Sequence, residues 1–509
     1  MKKRILFPVV ALAFTLASCD MDKTPYDAIP EDEALTTPTD FTNMSVPLYT
    51  GLRSCVGSST FYNAPDQQGD EFNSTFGTGV SDLYGWTFNT SLREGDAMYA
   101  NCQTMIARAN FIIDGYNKCD MSNTSLFTPD AIQTVRNVKG EAFFTRAYFL
   151  FYLAQYFCED YDESIADNEN SGVSYRTDYA PSSEGSTYPA RKTLRETYKQ
   201  ITDDLDSAAL YINTAGAQSC YDISTDAVTA IQARVALAMD NYQVAAQKAE
   251  DVIGTGTYAL VNSEAMMEAF WWDNFDTETI FKLFGGSSSE LPSQTGSVYL
   301  PYTEGGTPSY IPTQTVIDLY PDNDYRKDVY FTSLNVQTST GISGTVFALS
   351  KYPENGYVWE QSGQYDYARF AIEPKVVRIS EMYLIAAEAY AMQNDLVNGA
   401  KWLNDFKRNR VANYQDASFP SRDALMAEIR NERQREFLGE GMRLMDLKRW
   451  HLGVTRGTPQ NEDLCSMPGL PTTTELSKPA GDMRFTWPIP QNEIDTNPQI
   501  VQNPGYARI

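Results

Sequence analysis

One histidine, His451, is all that the 509 residues contain. A lone histidine cannot build a histidine-rich metal site, and it serves a nucleophile only where a partner falls beside it. The sequence also has no His-Glu-x-x-His pair, no glycine-rich loop closing on Lys-Ser or Lys-Thr, and no Gly-x-Ser-x-Gly turn. Zinc peptidases, P-loop nucleotide hydrolases and the common serine hydrolases are set aside on that ground. Basic residues are scarce as well. There are 40 against 66 acids, a net charge of −26. Such a surface repels phosphate backbones and argues against nucleic acid as a partner.

Cysteine is sparse for this length. Beyond the leader there are six, Cys55, Cys102, Cys119, Cys158, Cys220 and Cys465, so packing and not a disulfide framework must hold the fold. Cys102 and Cys119 fall on one predicted helix, about 25 Å apart along its axis, too far to bond. Cys102 and Cys158 meet only if consecutive helices run antiparallel; a bridge and two buried thiols both stay open. Long apolar runs are absent after Cys19, so nothing in the rest of the chain reads as a spanning helix.

What is present begins at the amino end. Lys2, Lys3 and Arg4 precede an apolar run from Ile5 to Leu16, and small residues then lead to a cysteine in Leu16-Ala17-Ser18-Cys19. The run is too short to span a bilayer and reads as a secretion signal of the bacterial lipoprotein kind, cleaved before Cys19 and acylated on it. The alternative is an ordinary signal peptide beside a chance cysteine. Acylation would fasten the mature chain to a membrane and leave the rest in water. Residues 1–18 are thus expected to be signal, 19–40 an acidic, proline-containing tether, and 41–509 one domain with parts 41–253 and 254–509.

A loop-rich aromatic segment is expected from Phe41 to Arg93. Helices follow at Asp96–Tyr116 and Pro129–Tyr156, the second apolar on all sides around Ala147 to Leu153 and therefore central. Thr193–Ile212 carries one apolar stripe of Leu194, Tyr198, Ile201, Leu205, Ala208 and Ile212. Two helix pairs then match each other: Asp226–Met239 with Tyr242–Ile253, and Ile379–Met392 with Leu396–Val411. Ala233, Ala236 and Ala238 correspond to Ala386, Ala389 and Ala391; after a one-residue slip, Tyr242, Ala246 and Ala249 correspond to Leu396, Ala400 and Leu403. Small residues on facing helices suit close antiparallel packing of the tetratricopeptide kind. Between the pairs, residues 254–364 are rich in Gly, Pro, Ser, Thr and Tyr, with short strand-like runs such as Thr279–Phe284. The fold class is mainly α: a helix-pair scaffold with long irregular insertions and few short strands.

Glu432, Arg433, Arg435, Glu436, Arg443, Asp446, Lys448 and Arg449 look like a charged active site, yet their spacing suits a buried ion-pair network joining the last helices. Asp167, Glu169, Ser171, Gly172 and Asp178 give only a poor calcium-loop spacing, so structural calcium is a weak possibility and no cofactor is expected.

Several segments in one order resemble the SusD/RagB family of Bacteroidetes outer-membrane lipoproteins. They are Gly140-Glu141-Ala142 with Arg146-Ala147-Tyr148, Ala233-Arg234-Val235, Arg378 to Ala389, Leu403-Asn404, Arg408-Asn409-Arg410, Ile429 to Arg433, Arg435-Glu436-Phe437, Gly441 to Trp450, and Trp487-Pro488-Ile489-Pro490 before Glu493-Ile494 and Asn497-Pro498. The resemblance implies a cell-surface protein lying over a SusC-like TonB-dependent transporter. It would capture a glycan, or a peptide as in the RagB branch, and pass it on, with no catalytic residues; a surface glycosidase is a further rival.

Sugars are held by aromatic faces, with amides, carboxylates and Arg meeting their hydroxyls. The loop-borne candidates are Tyr84, Trp86 and Phe88 with Asn89 and Arg93, then Tyr299, Tyr302 and Tyr310, then Tyr357, Trp359, Tyr365 and Tyr367. Trp271 and Trp272 read as structural.

Overall fold

The computed structural model describes residues 34–75, 81–273, 275–285, 290, 297–301, 306–337, 341–353, 372–465 and 476–507. Cys19, Tyr302, Tyr357, Trp359, Tyr365 and Tyr367 lie outside the described residues. The first difference from expectation comes at once: residues 41–68 are mostly helix, as α1 (Pro38–Val56) and α2 (Ser59–Gln68). Thr37 and Asp40 close a reciprocal capping box on α1, and Phe41, Leu48, Leu52 and Cys55 form its buried face. Pro47 and Pro65 sit inside the two helices and disguise them, because proline reads in a sequence as a break.

Helices α3 (Arg93–Lys118), α4 (Pro129–Phe157) and α5 (Leu194–Tyr211) follow, their ends within a few residues of those predicted. The central one is α4, packed against α1, α3 and α5. Along one side it stacks Phe144, Tyr148, Tyr152 and Tyr156, with Tyr152 and Tyr156 rings 6.1 Å apart and 11° from parallel. Cys102 and Cys158, on α3 and just beyond α4, are both buried free thiols, which settles the open pairing.

The two matched pairs are α6 (Thr225–Ala238) with α7 (Tyr242–Gly254), and, after α8 (Glu264–Trp271), α9 (Ile379–Met392) with α10 (Leu396–Lys407). Their turns share one construction. Asp240 and Asn394 take left-handed φ of 56° and 62°, and the next residue donates its N–H to a carbonyl five residues back, Asn241 to Ala236 and Asp395 to Tyr390, each at 2.9 Å. Asn241 and Asp395 then cap the second helix through their side chains. The slip in the sequence match is real, since α9 runs one residue further than α6 before turning. The pairs stack through α7 on α9, and α11 (Arg422–Phe437) packs on α9 and α10. Two short helices, α12 (Arg443–Arg449) and α13 (Gln491–Thr496), lie near the carboxyl end. Residues 408–411, expected as helix, form a turn whose Val411 bridges Asp324.

The described strands make four antiparallel pairs: β1 (Phe72–Ser74) with β3 (Tyr310–Pro312), β2 (Thr279–Lys282) with β6 (Lys375–Arg378), β4 (Phe331–Gln337) with β5 (Ser343–Leu349), and β7 (Val454–Thr455) with β8 (Ser477–Lys478). These pairs clip the insertions to the helices.

The charged cluster is a buried ion-pair network. Glu436 accepts from Arg326, Arg378 and Arg410; Arg433 forks onto Asp446 at 2.8 and 2.9 Å; Arg435 meets Glu432 at 2.6 Å; and Arg443 reaches Asp70 at 2.8 Å. Arg449 bridges Asp446 and Glu388. Lys448 departs from the expectation: it donates to the carbonyls of Gln155 and Cys158 at the end of α4, and burial pushes its amine down to about 8. His451, with a left-handed φ of 51°, ends α12 with Nδ1 3.3 Å from Asp160.

Candidate functional site

The segment after α2 turns on a buried polar frame. Tyr310 hydroxyl sits 3.1 Å from Gln67 Oε1 and 3.3 Å from Ser81 Oγ, and the rings of Tyr310 and Tyr84 lie 5.8 Å apart. Arg456 covers Tyr84, its guanidinium carbon 3.6 Å from the ring centre, and donates to the carbonyls of Gln67, Gly69 and Tyr84. Burial raises the Tyr310 hydroxyl, partly offset by Ser81, so it stays protonated.

The five ring candidates among the described residues are buried and present no open face, which corrects the expectation for them. Tyr84, Trp86 and Tyr299 are each 1% exposed, Phe88 2% and Tyr310 6%. Trp86 takes a left-handed φ of 55° as the cap of a short turn, packs edge-on against Phe485 at 5.0 Å and donates Nε1 to the Gln68 carbonyl. Tyr299 stacks on Phe72 at 4.8 Å and donates to Asp66 at 3.0 Å, whose carboxyl burial raises to about 8. The physical reason is plain: an aromatic that closes a frame between strands and helices cannot also offer its face to solvent. Trp271 is buried too, beneath Lys351 at 4.4 Å, as expected of a structural residue.

Asn89 and Arg93 fare differently. From Trp86 to Arg93 burial alternates: Trp86, Phe88, Thr90 and Leu92 face inward, while Thr87, Asn89, Ser91 and Arg93 face out. The inner residues anchor the segment, and the outer ones form a row of hydroxyl, amide, hydroxyl and guanidinium. Leu92 N–H donates to the Asn89 carbonyl at 3.0 Å, turning the chain into α3, and the Arg93 side chain is 90% exposed beside Glu94. Thr87 and Ser91 went unnoticed in the sequence, although the apolar alternation of Trp86, Phe88 and Leu92 signals them. Gln67, Ser81 and Arg456 had no sequence signal, since tertiary contact alone unites them.

No group of three or more His, Cys, Asp or Glu among the described residues is arranged to hold a metal. In the weak calcium spacing, Asp167 is spent on Arg195 at 2.8 Å and Asp178 on Arg176 at 2.6 Å. Beside α4, a cavity of about 90 Å³ is lined by Tyr62, Tyr148, Tyr152, Tyr156 and Arg234 among others. No helix among the described residues is long and apolar enough to cross a membrane.

Comparison with known proteins bears on both halves. The profile of the SusD family matches residues 336–506, and a profile described as starch-binding, associating with the outer membrane, matches residues 28–237. Among solved structures, the chain is similar to a SusD superfamily protein from Bacteroides vulgatus, with TM-score 0.74, 22% identity, and 93% of this chain and 100% of that chain covered. One from Bacteroides thetaiotaomicron gives TM-score 0.74 and 23% identity, covering 92% and 100%. A laminarin-binding SusD-like protein gives TM-score 0.68 and 19% identity, covering 92% and 100%. No curated protein sequence matches the chain.

Proposed function

Because this chain belongs to the SusD family, we propose that it is a lipid-anchored, cell-surface capture protein for oligosaccharides, acting without catalysis and delivering its cargo to a SusC-like TonB-dependent transporter. The observation that carries the ligand reading is the outward row Thr87, Asn89, Ser91 and Arg93 on its buried anchors Trp86, Phe88 and Leu92. Such a row meets sugar hydroxyls with donors and acceptors whose backbone is already fixed, so little ordering opposes binding. The excess of acids supports neutral glycans over sulfated or uronic ones. Exchange with a transporter calls for reversible binding with a fast off-rate. Cys19 supplies the membrane attachment in this reading, through acylation.

Two measurements test it. The mature protein in detergent micelles is applied to an array of neutral glycans, acidic glycans and peptides; binding to neutral glycans supports the reading, and binding to peptides alone overturns it. Fractionation of cells carrying Cys19→Ala should move the protein out of the membrane fraction, and retention there would refute the anchor.

A further inference from the structure

A second hollow lies along α3, about 340 Å³ in volume, between that helix, the strap 173–189 and α13. Its walls are clamped by side-chain amides on backbone carbonyls. Gln103 donates to Ser174 at 2.8 Å, Asn110 to Arg176 and Asp178 at 3.0 and 3.2 Å, and Asn497 to Pro189 at 2.9 Å. Gly185 passes so close to α13 that a Cβ would stand 2.3 Å from the Thr496 carbonyl oxygen, so only glycine lets the strap seat there. The hollow is therefore built before any ligand arrives.

Inside it stand two partly exposed rings, Tyr179 and Tyr188. Tyr179 is braced edge-on by Phe111 at 5.0 Å, and its hydroxyl takes no hydrogen bond among the described residues. Glu493 gives one oxygen to Asn497 at 3.4 Å and keeps the other for a donor. Arg176 and Asp178 cancel each other on the rim, which leaves Glu493 as the uncompensated charge and disfavours anionic ligands. The Tyr188 hydroxyl donates to the Ser182 carbonyl at 2.7 Å, so Tyr188 offers its face, and two flat rings beside the Tyr179 hydroxyl and a carboxylate suit a neutral pyranose chain.

The hollow also lies in line with the row of the main site. Arg93, Asp96, Gln103 and Ala107 fall on neighbouring positions of one side of α3, and Asn492 of α13 donates to Asp96 at 2.9 Å between them. Ten residues of helix separate Arg93 from Gln103, roughly 15 Å. We infer that the hollow at Tyr179 and Tyr188 is a second subsite for neutral oligosaccharide, holding the far part of a chain whose near part meets Asn89 and Arg93. The inference rests on the glycan reading above. Two linked contacts raise the affinity of long chains alone.

The test is titration calorimetry on the mature protein in micelles with neutral oligosaccharides graded from two to eight units, taken from whichever linkage the array favours. The wild type should bind long chains at least tenfold tighter than short ones. Tyr179→Ala, Tyr188→Ala and Ala107→Trp should each remove that gain and leave short-chain binding intact. Ala107 is exposed on the cleft wall, so its tryptophan plugs the hollow without disturbing the core, and it decides the matter if a tyrosine variant unfolds. Long chains bound normally by a folded Ala107→Trp variant overturn the second subsite and leave the main reading standing. A wild type that binds no neutral oligosaccharide at any length overturns both.

Discussion

Arg456 lies with its guanidinium carbon 3.6 Å from the centre of the Tyr84 ring, while its nitrogens hold the carbonyls of Gln67, Gly69 and Tyr84. One side chain from the carboxyl-terminal part thereby fixes the amino-terminal segment that carries the outward row. Because its hydrogen bonds end on buried carbonyls, Arg456→Ala should lose roughly 2–4 kcal/mol from cation–ring contact and unpaired acceptors. Trp86→Ala, which empties a buried indole site and orphans the Gln68 carbonyl, should lose roughly 3–5 kcal/mol. Urea unfolding checks both, and a Trp86→Ala variant of wild-type stability would contradict its placement in the frame.

Asn89→Ala and Arg93→Ala alter exposed side chains on a segment anchored by the buried Trp86, Phe88 and Leu92, the first also removing an exposed local bond in which Asn89 Oδ1 accepts from the Ser91 N–H at 2.9 Å. Each should weaken oligosaccharide binding several-fold, with a melting temperature within about 1 °C of wild type, since surface changes of this kind stay within about 0.5 kcal/mol. Calorimetry and thermal melting together separate the two effects.

Glu436 is fully buried and accepts from three arginines, Arg326, Arg378 and Arg410, which hold its carboxyl far below the usual range despite desolvation. Removing it takes one carboxylate from all three arginines at once, leaving Arg326 to Asp324 and Glu432, Arg378 to Glu278 and Glu440, and Arg410 to Glu278. Glu436→Gln should therefore destabilise the fold by roughly 3–5 kcal/mol, read as a lower urea midpoint. A loss below 1 kcal/mol would mean that water relieves the arginines.

Glu141, on α4, accepts from Ser45 at 2.7 Å and Tyr49 at 3.2 Å, and burial raises its carboxyl to about 7. The neutral form is the one favoured in the folded state. Its contribution is fully present below about pH 4.5 and is lost as pH rises through about 7, a fall of roughly 3 kcal/mol. Asp66, raised to about 8, acts in the same direction. Glu141→Gln keeps a neutral group that both hydroxyls can partner, so the variant should gain stability relative to wild type between pH 5 and pH 8. Urea unfolding across that range gives the difference, and parallel curves would show that Glu141 ionises without penalty.

Helix pairing is legible in the sequence, and the reason is periodicity. Alanines at matched positions around Asp240 and around Asn394 repeat because close-packed hairpins admit little else at those contacts. The stripe from Leu194 to Ile212 could be read likewise, and the charged run from Glu432 to Arg449 spoke for a buried network because exposed arginines need no matched acids. Helix α1 was missed since Pro47 breaks the local rule, and the helix survives on the packing of Phe41, Leu48 and Leu52.

The sequence by itself determined the helix-pair scaffold and the acidic charge balance, because composition and spacing act over a few residues at a time. It could not separate aromatics that build from aromatics that bind. Trp86 and Asn89 stand three residues apart in similar polar, ring-rich surroundings, yet one is sealed under Phe485 and the other faces water. That division is set by what arrives from afar, Phe485, Arg456 and Tyr310 among them, and burial of a loop side chain is a property of those distant neighbours.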